Sequence, residues 1–312
     1  MAIQAEAACH ECTAGHRCIG YADHTYFTAR VRRLKMITNL RYIQMGTGTS
    51  AGVPSIGCDC SVCRSEDPRD HRLRCGACLQ FDDPKGDPRV ILIDTPPDHR
   101  QQALRHGLDR CDGIVFTHDH VDHVFGLDEV RRYNAMMKCP IDIYAEPDVL
   151  ASLGRMFRHV FDRGENVNDS FVASLVPNTV QPGVPFELHG LRIEPIRVLH
   201  GRLPILGYRI DSVEEGGAPD VLPLAYLSDV SALPPEAWPR LEGLRTLVLD
   251  MLRYRSHPTH LTVDRAIEVA SRVDAGSTYF IHMSHDISHG ELDPRLPERM
   301  HLAWDGLSLP RG

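Results

Sequence analysis

Six consecutive positions, His118-Asp119-His120-Val121-Asp122-His123, hold three histidines and two aspartates, and they follow closely on the apolar run Gly113-Ile114-Val115-Phe116. Two histidines at i and i+2 can turn toward one metal ion, while Asp122 and His123 reach a second from the start of a following helix. The box therefore reads as a two-metal site. Imidazole and carboxylate suit zinc, manganese or iron, so ligand type alone leaves the ion open. The bland alternatives are a His-rich surface loop or a set of buried, hydrogen-bonded histidines. Neither explains why chelating groups follow a buried strand almost without a break.

Further polar residues stand where apolar runs stop: Asp94 after Val90-Ile91-Leu92-Ile93, His200 after Leu199, Asp229 after Leu227-Ser228, Asp250 after Leu249, and His282 after Phe280-Ile281. In folds of sheets and helices, ligands collect beyond strand ends, so these positions can converge from remote sequence. With the box, they supply five histidines (118, 120, 123, 200, 282) and two aspartates (122, 229). A second cluster, Gly57-Cys58-Asp59-Cys60-Ser61-Val62-Cys63, offers three thiolates to a tetrahedral zinc and leaves one ligand unassigned. Cys75 and Cys78 form a further C-x₂-C, with Cys78 read as core and Cys75 as a less favoured alternative ligand. Cys111 and Cys139 flank strands and carry no signal.

The elements that must position these groups alternate. Strands are expected at 40–45, 78–81, 90–94, 113–117, 141–145, around 185–200, 206–211, 222–228, 246–251, 278–282 and 302–309. Helices are expected at 98–107, 124–136, 148–160, 235–242 and 263–272. Such alternation predicts sheets sandwiched between helices, with no internal repeat. The Gly-rich stretch Gly46–Pro54 lacks the Gly-Lys-Ser/Thr of a phosphate loop and reads as a tight turn. Residues 1–35 show little apolar periodicity and end on the basic cluster Arg30–Lys35; they read as a poorly ordered extension, Cys9, His10, Cys12, His16 and Cys18 included. Residues 36–312 form the expected functional domain.

With 312 residues, 42% of them hydrophobic and 24% charged, the chain has the composition of an ordinary globular protein. No apolar run approaches the roughly 18 residues of a membrane helix. The start lacks a basic then apolar leader, so a cytoplasmic location is expected, and ten cysteines there read as thiols or ligands. A net charge of −8 argues against nucleic acid and for a small anionic substrate held by local metal charge.

The order H-x-H-x-D-H, then His200, Asp229 and His282, resembles the metallo-β-lactamase superfamily over about residues 36–312. That resemblance implies an αββα sandwich of two mixed sheets flanked by helices. It implies that His118, His120 and His200 hold one metal, Asp122, His123 and His282 the other, and Asp229 bridges them, with Asp94 orienting a ligand histidine. Redox members with a di-iron centre replace the second histidine of the box by Glu, whereas His120 is intact. The cysteine cluster, with His285 three residues past His282, resembles the phosphoribosyl 1,2-cyclic phosphate phosphodiesterases of phosphonate catabolism. In that family a later histidine completes a structural zinc site, which assigns Cys58, Cys60, Cys63 and His285 to one. The family also has a histidine before its last long helix that protonates the leaving oxygen; in Ser256–Thr262, position favours His260 over His257, and Thr262 reads as the helix N-cap. Imidazole suits the task because it donates or accepts near neutral pH.

The expectation is a phosphodiesterase with two catalytic divalent metals (Zn or Mn) and one structural Zn. It opens a small cyclic phosphodiester through a metal-bridging hydroxide, with Asp229 and His260 catalytic; the family implies a homodimer. Rivals are a nuclease or tRNA 3′-processing enzyme, a thioester or lactam hydrolase, and an inactive metal-binding carrier. Arg197 and Arg202, beside His200, read as surface salt-bridge residues. His71, His99, His106, His159, His189, His289 and His301 read as bland. Asp211–Pro219 and residues 155–172 exceed the family's connections, and loops of this kind set specificity.

Overall fold

The computed structural model describes residues 36–167 and 170–311. The expected 1–35 extension, with its cysteines, lies outside them. Six strands in chain order, β1 (Thr38–Gly46), β2 (Gly76–Asp82), β3 (Pro88–Ile93), β4 (Gly113–Val115), β5 (Ile141–Ala145) and β6 (Leu175–Thr179), build the first sheet. Seven more, β7 (Phe186–Leu188), β8 (Leu191–His200), β9 (Leu203–Ser212), β10 (Leu224–Leu227), β11 (Thr246–Asp250), β12 (Ser277–Ile281) and β13 (Met300–Leu302), build the second. The last strand, β14 (Leu307–Leu309), returns to pair with β1. Both sheets are mixed in the same way. From β14 to β3 and from β7 to β10 neighbours run antiparallel; from β3 to β6 and from β10 to β13 they run parallel.

Period-two alternation explains the layers. Along β3, Ile91 and Ile93 face the core shared with Ile193, Tyr208, Tyr226 and Val248 of the opposite sheet, while Val90 and Leu92 face outward. Strands covered on both sides read as continuous apolar runs, which is why 90–93 carries no polar residue. The outer face of the first sheet is covered by helices α1 (His99–His106), α2 (Val121–Val124), α3 (Arg131–Met137), α4 (Pro147–Met156) and α5 (Arg158–Phe161), which supply Ala103, Val124, Tyr133, Val149 and Leu153. The second sheet's outer face packs on α6 (Val263–Val273). That helix buries Val263, Ala266 and Ala270, one face at helical spacing, and Thr262 caps it by accepting from the Arg265 amide. A final turn, α7 (His289–Leu292), precedes β13. The result is the αββα sandwich, two mixed sheets flanked by helices.

Several expected elements are broken, each for an identifiable reason. The helix at 124–136 splits at Gly126, where a Cβ would meet the Pro96 carbonyl oxygen at 2.1 Å. The helix at 148–160 breaks at Phe157, whose ring packs edge-on against Phe125 at 6.0 Å. The stretch at 235–242 is a 3₁₀ segment, Pro235–Leu241, because Pro239 inside it has no amide to donate. The run 302–309 divides between β13 and β14, which lie in different sheets. Strand β6 was not anticipated; as an edge strand with Val176, Pro177 and Thr179 exposed it lacks apolar alternation. Among the described residues, no helix is long and apolar enough to cross a membrane.

Candidate metal centre

The parallel strands β3, β4, β10, β11 and β12 all stop at one edge of the sandwich, and the chelating residues sit just past their ends. Asp94 follows β3, Asp229 lies two residues past β10, and His282 follows β12. All three adopt left-handed backbone, with φ of 61°, 56° and 62°. A non-glycine residue there costs about 1–2 kcal/mol and persists when its surroundings hold it. The left-handed turn ends each strand abruptly and swings the side chain into the space between the sheets.

The seven expected ligands are brought together. Ligand atoms of His118, His120, His200 and Asp229 lie within 4.8 Å of one another, as do those of Asp122, His123 and His282. Asp229 stands between the groups, its oxygens 3.2 Å from His123 Nε2, 3.4 Å from His282 Nε2 and 3.9 Å from His118 Nε2. The far nitrogens are tied down: His123 Nδ1 meets Asp94 at 2.8 Å, His118 Nδ1 meets the Thr117 hydroxyl at 2.9 Å, and His200 Nδ1 donates to the Thr259 carbonyl at 2.9 Å. Asp94 also accepts from the Thr117 amide and hydroxyl, so one buried carboxylate fixes the box and a ligand together.

The inward atoms tell the rest. His118 Nε2, His123 Nε2, both nitrogens of His282 and Asp229 Oδ1 are buried without a hydrogen-bond partner. Orphaned buried polar atoms are costly, and here they point at one another across gaps of ligand size. Burial, aided by His123, pushes His118 well below the ordinary imidazole range, which leaves it neutral. Burial works against the charge of Asp229 but is outweighed by His282 and His123, which hold its carboxyl well down. Burial likewise opposes charge on His123 and is outweighed by Asp229 and Asp94, so that ring is held well up. A neutral imidazole, ionised carboxylates and a field that favours positive charge are what a divalent cation needs from its donors. The residues fit metal binding.

Above the cluster lies His260, whose ring stacks on His282 at 4.6 Å and meets His200 edge-on at 4.7 Å. Its Nδ1 is 2.9 Å from Asp250 Oδ1, and the same carboxylate accepts from the Leu261 amide and lies 3.5 Å from His282 Nδ1. His257 sits farther out, its Nδ1 engaged by Thr259. The double engagement of Asp250 was missed; its position at a strand end was the available signal. His260 also stands within ligand distance of Asp229 and His282.

The second cluster closes on itself. Cys58, Cys60, Cys63 and His285 place their ligand atoms within 4.8 Å of one another, with His285 Nδ1 3.2 Å from Cys58 Sγ and 3.4 Å from Cys60 Sγ. The Cys63 amide, then His285, lower the Cys60 thiol to about 6, while burial pushes Cys63 to about 11. A Cys₃His set suits tetrahedral zinc. Cys75 does not join it; this residue is buried in the core between the sheets, and Cys78 in the outer core. The segment bearing His282 and His285 is braced by Arg72, fully buried, which donates to the carbonyls of Ser284 and Ile287 and pairs with Asp70 at 2.7 Å.

Arg197 forms a two-pronged pair with Glu146, as a salt bridge requires. Among the remaining histidines, His99 and His289 are buried; none of the seven enters a metal-sized group among the described residues.

Comparison with known proteins agrees with this geometry. A family model described as a beta-lactamase superfamily domain matches residues 89–283. A Porphyromonas gingivalis protein named octanoyltransferase is 38% identical over 270 residues, which are 86% of this chain and 51% of that protein. Coenzyme PQQ synthesis protein B of Rhodopseudomonas palustris is 33% identical over 160 residues, 47% of each chain. The chain thus spans about half the length of these curated relatives. A crystal structure of a diphosphatase from the PhnP family is 39% identical, with a TM-score of 0.77 over 88% of this chain and 98% of that one. Zinc-bound PqqB from Methylobacterium extorquens, 21% identical with a TM-score of 0.66, shares the fold. From the sandwich, the ligand-lined edge and these matches, the chain belongs to the metallo-β-lactamase superfamily.

Proposed function

We propose that the protein is a binuclear metal-dependent phosphodiesterase that opens a small cyclic phosphodiester to a phosphomonoester, with phosphoribosyl 1,2-cyclic phosphate the favoured substrate. The observation that carries this is the His260–Asp250 pair set over the ligand cluster. Ester cleavage needs a proton delivered to the departing oxygen, and a carrier has no use for one. Two bound Zn or Mn ions would supply Lewis acidity and an activated water. Asp229, whose oxygens lie near nitrogens of both ligand groups, would serve as their shared ligand. Asp250 accepts from His260 Nδ1, which leaves Nε2 as the nitrogen through which the ring would pass a proton. A third ion, Zn, would sit on Cys58, Cys60, Cys63 and His285 as a closed structural site.

The similarity to a diphosphatase favours phosphate chemistry and adds a second reading, cleavage of a phosphoanhydride. The octanoyltransferase name belongs to a protein of about twice the matched length. A net charge of −8 argues against an RNA partner. The test is hydrolysis of bis(p-nitrophenyl) phosphate, a cyclic ribose phosphate, a nucleoside diphosphate and a β-lactam side by side. Turnover of the diesters above the others is expected. Turnover of the β-lactam alone would overturn the reading.

A further inference from the structure

Of the three clustered thiols, Cys58 and Cys60 are half-buried, while Cys63 is buried with Val53 and Val62. Cys60 and Cys63 share one turn of chain, closed by a bond from the Arg64 amide to the Cys60 carbonyl at 3.1 Å. Within it the Cys63 amide donates to Cys60 Sγ at 3.4 Å. Residues three apart on such a turn stand side by side, at a spacing a disulfide can use. Both sulfurs belong to the group whose ligand atoms lie within 4.8 Å of one another. A sulfur bound to zinc is a thiolate, and the thiolate is the form that peroxides oxidise. The cluster thus presents one reachable thiolate beside a buried one placed to resolve it.

The fourth ligand carries the effect elsewhere. His285 comes from outside the cysteine loop and lies three residues past His282 of the other cluster. His282 keeps left-handed backbone, with φ of 62°, a conformation that persists only while its surroundings hold it. Upstream it is held by β12, and downstream by the anchor at His285. The cysteine loop reaches the same segment by a second route. Val53 and Arg72 exchange backbone bonds at 2.9 and 2.7 Å, and the Arg72 guanidinium donates to the carbonyls of Ser284 and Ile287. Both routes therefore end on the residues that follow His282.

We propose that Cys60 is a site of oxidation by hydrogen peroxide, and that its conversion to a Cys60–Cys63 disulfide expels the structural zinc and weakens metal binding at His282. This rests on the zinc assignment above and is independent of the substrate. The Cys60 thiolate attacks the peroxide, the O–O bond breaks, and a sulfenic acid forms as hydroxide leaves. The Cys63 thiolate then attacks that sulfur, an S–S bond forms, and a second hydroxide leaves. The two sulfurs lose two electrons to the peroxide, and two protons from solvent convert both hydroxides to water. Zinc is left with Cys58 and His285, too few ligands for a closed tetrahedral site, and departs.

The test takes the zinc-loaded full chain, before and after hydrogen peroxide, and dialyses it against graded manganese. Elemental analysis reads both metals, and peptide mass mapping reads the disulfide. Zinc should leave in step with the Cys60–Cys63 disulfide. Manganese should then bind about tenfold more weakly, as release of a strained residue implies. Dithiothreitol with zinc should restore both. Cys60→Asp, which replaces the sulfur by an oxygen ligand, should hold zinc through the same treatment. Zinc release without that disulfide, or the disulfide with unchanged manganese affinity, would overturn the proposal. A chain with no zinc on the cysteine cluster before treatment would dismiss the ion, and the proposal with it. None of these readouts uses a substrate, so failure to hydrolyse any diester would leave the oxidation site standing.

Discussion

Strand β3 is charged at both ends, and the two ends treat charge in opposite ways. At its start, Arg89 bridges Asp83 and Asp112 at 2.8 and 3.1 Å. Asp83 further accepts from the amides of Lys85 and Asp87, and Asp112 from Arg110 and the Val90 amide. Each of the four carboxylate oxygens there has a donor. At its finish, Asp94 is equally well satisfied, but what it supports is not: beyond it lie imidazole nitrogens and a carboxylate oxygen buried without partners. The closed end holds the fold. The open end keeps its bonding capacity for something the chain does not supply, and that contrast, more than the count of histidines, marks the reactive edge.

The largest effect should come from the open end. Asp229→Ala removes the carboxylate shared by both ligand groups, and hydrolysis of bis(p-nitrophenyl) phosphate should fall by about 10³-fold or more, with loss of metal measured by elemental analysis. Retained metal with retained turnover would mean that the two groups act independently. His260→Ala should lower kcat by about 10²- to 10⁴-fold while metal content holds. Metal loss there would make His260 a ligand with Asp229 and His282. Next in size, Cys58→Ser should lower the metal count by about one per chain and the Tm by several degrees, since a closed zinc site contributes folding energy directly; an unchanged count would dismiss that zinc.

The smallest effect belongs to the closed end and is pH-dependent. Burial opposes the charge of Asp83, yet Arg89 and the two amides hold its carboxyl down at about 2. A depressed carboxylate stabilises the fold above its unfolded pKa of about 4 and loses that contribution as pH falls toward 2. Asp83→Asn should therefore cost about 1 kcal/mol at pH 5, after screening through the partly exposed Arg89, and progressively less as pH falls through the folded value, by denaturant titration at each pH. A pH-independent cost would show that shape, not charge, matters there.

Much of the edge was legible in the sequence because its ligands obey a simple rule. Apolar strands stop on Asp94, Asp229 and His282, and a residue that ends a buried strand must face the site or be neutralised. The box at 118–123 was legible because chelation needs close spacing. What stayed hidden depends on contacts between distant segments. Gly126 breaks a periodic helix because Pro96 lies against it. Asp250 serves His260 and His282 together only once β11 and β12 are neighbours. Arg72 is a polar residue in sequence and a buried brace in space.

His282 and His285 are separated by Met283 and Ser284 alone, and Met283 is stitched to the Gly-rich loop by bonds from its amide to Thr47 and from the Thr49 amide to its carbonyl. A stretch of this length, fixed at both ends and pinned in the middle, has no slack. The turn after β9, at 213–219, can gain or lose residues without disturbing either cluster. Adding one residue between His282 and His285 would draw a ligand out of one cluster or the other, so across relatives that keep both clusters this spacing should be invariant in length even where Met283 and Ser284 vary in kind.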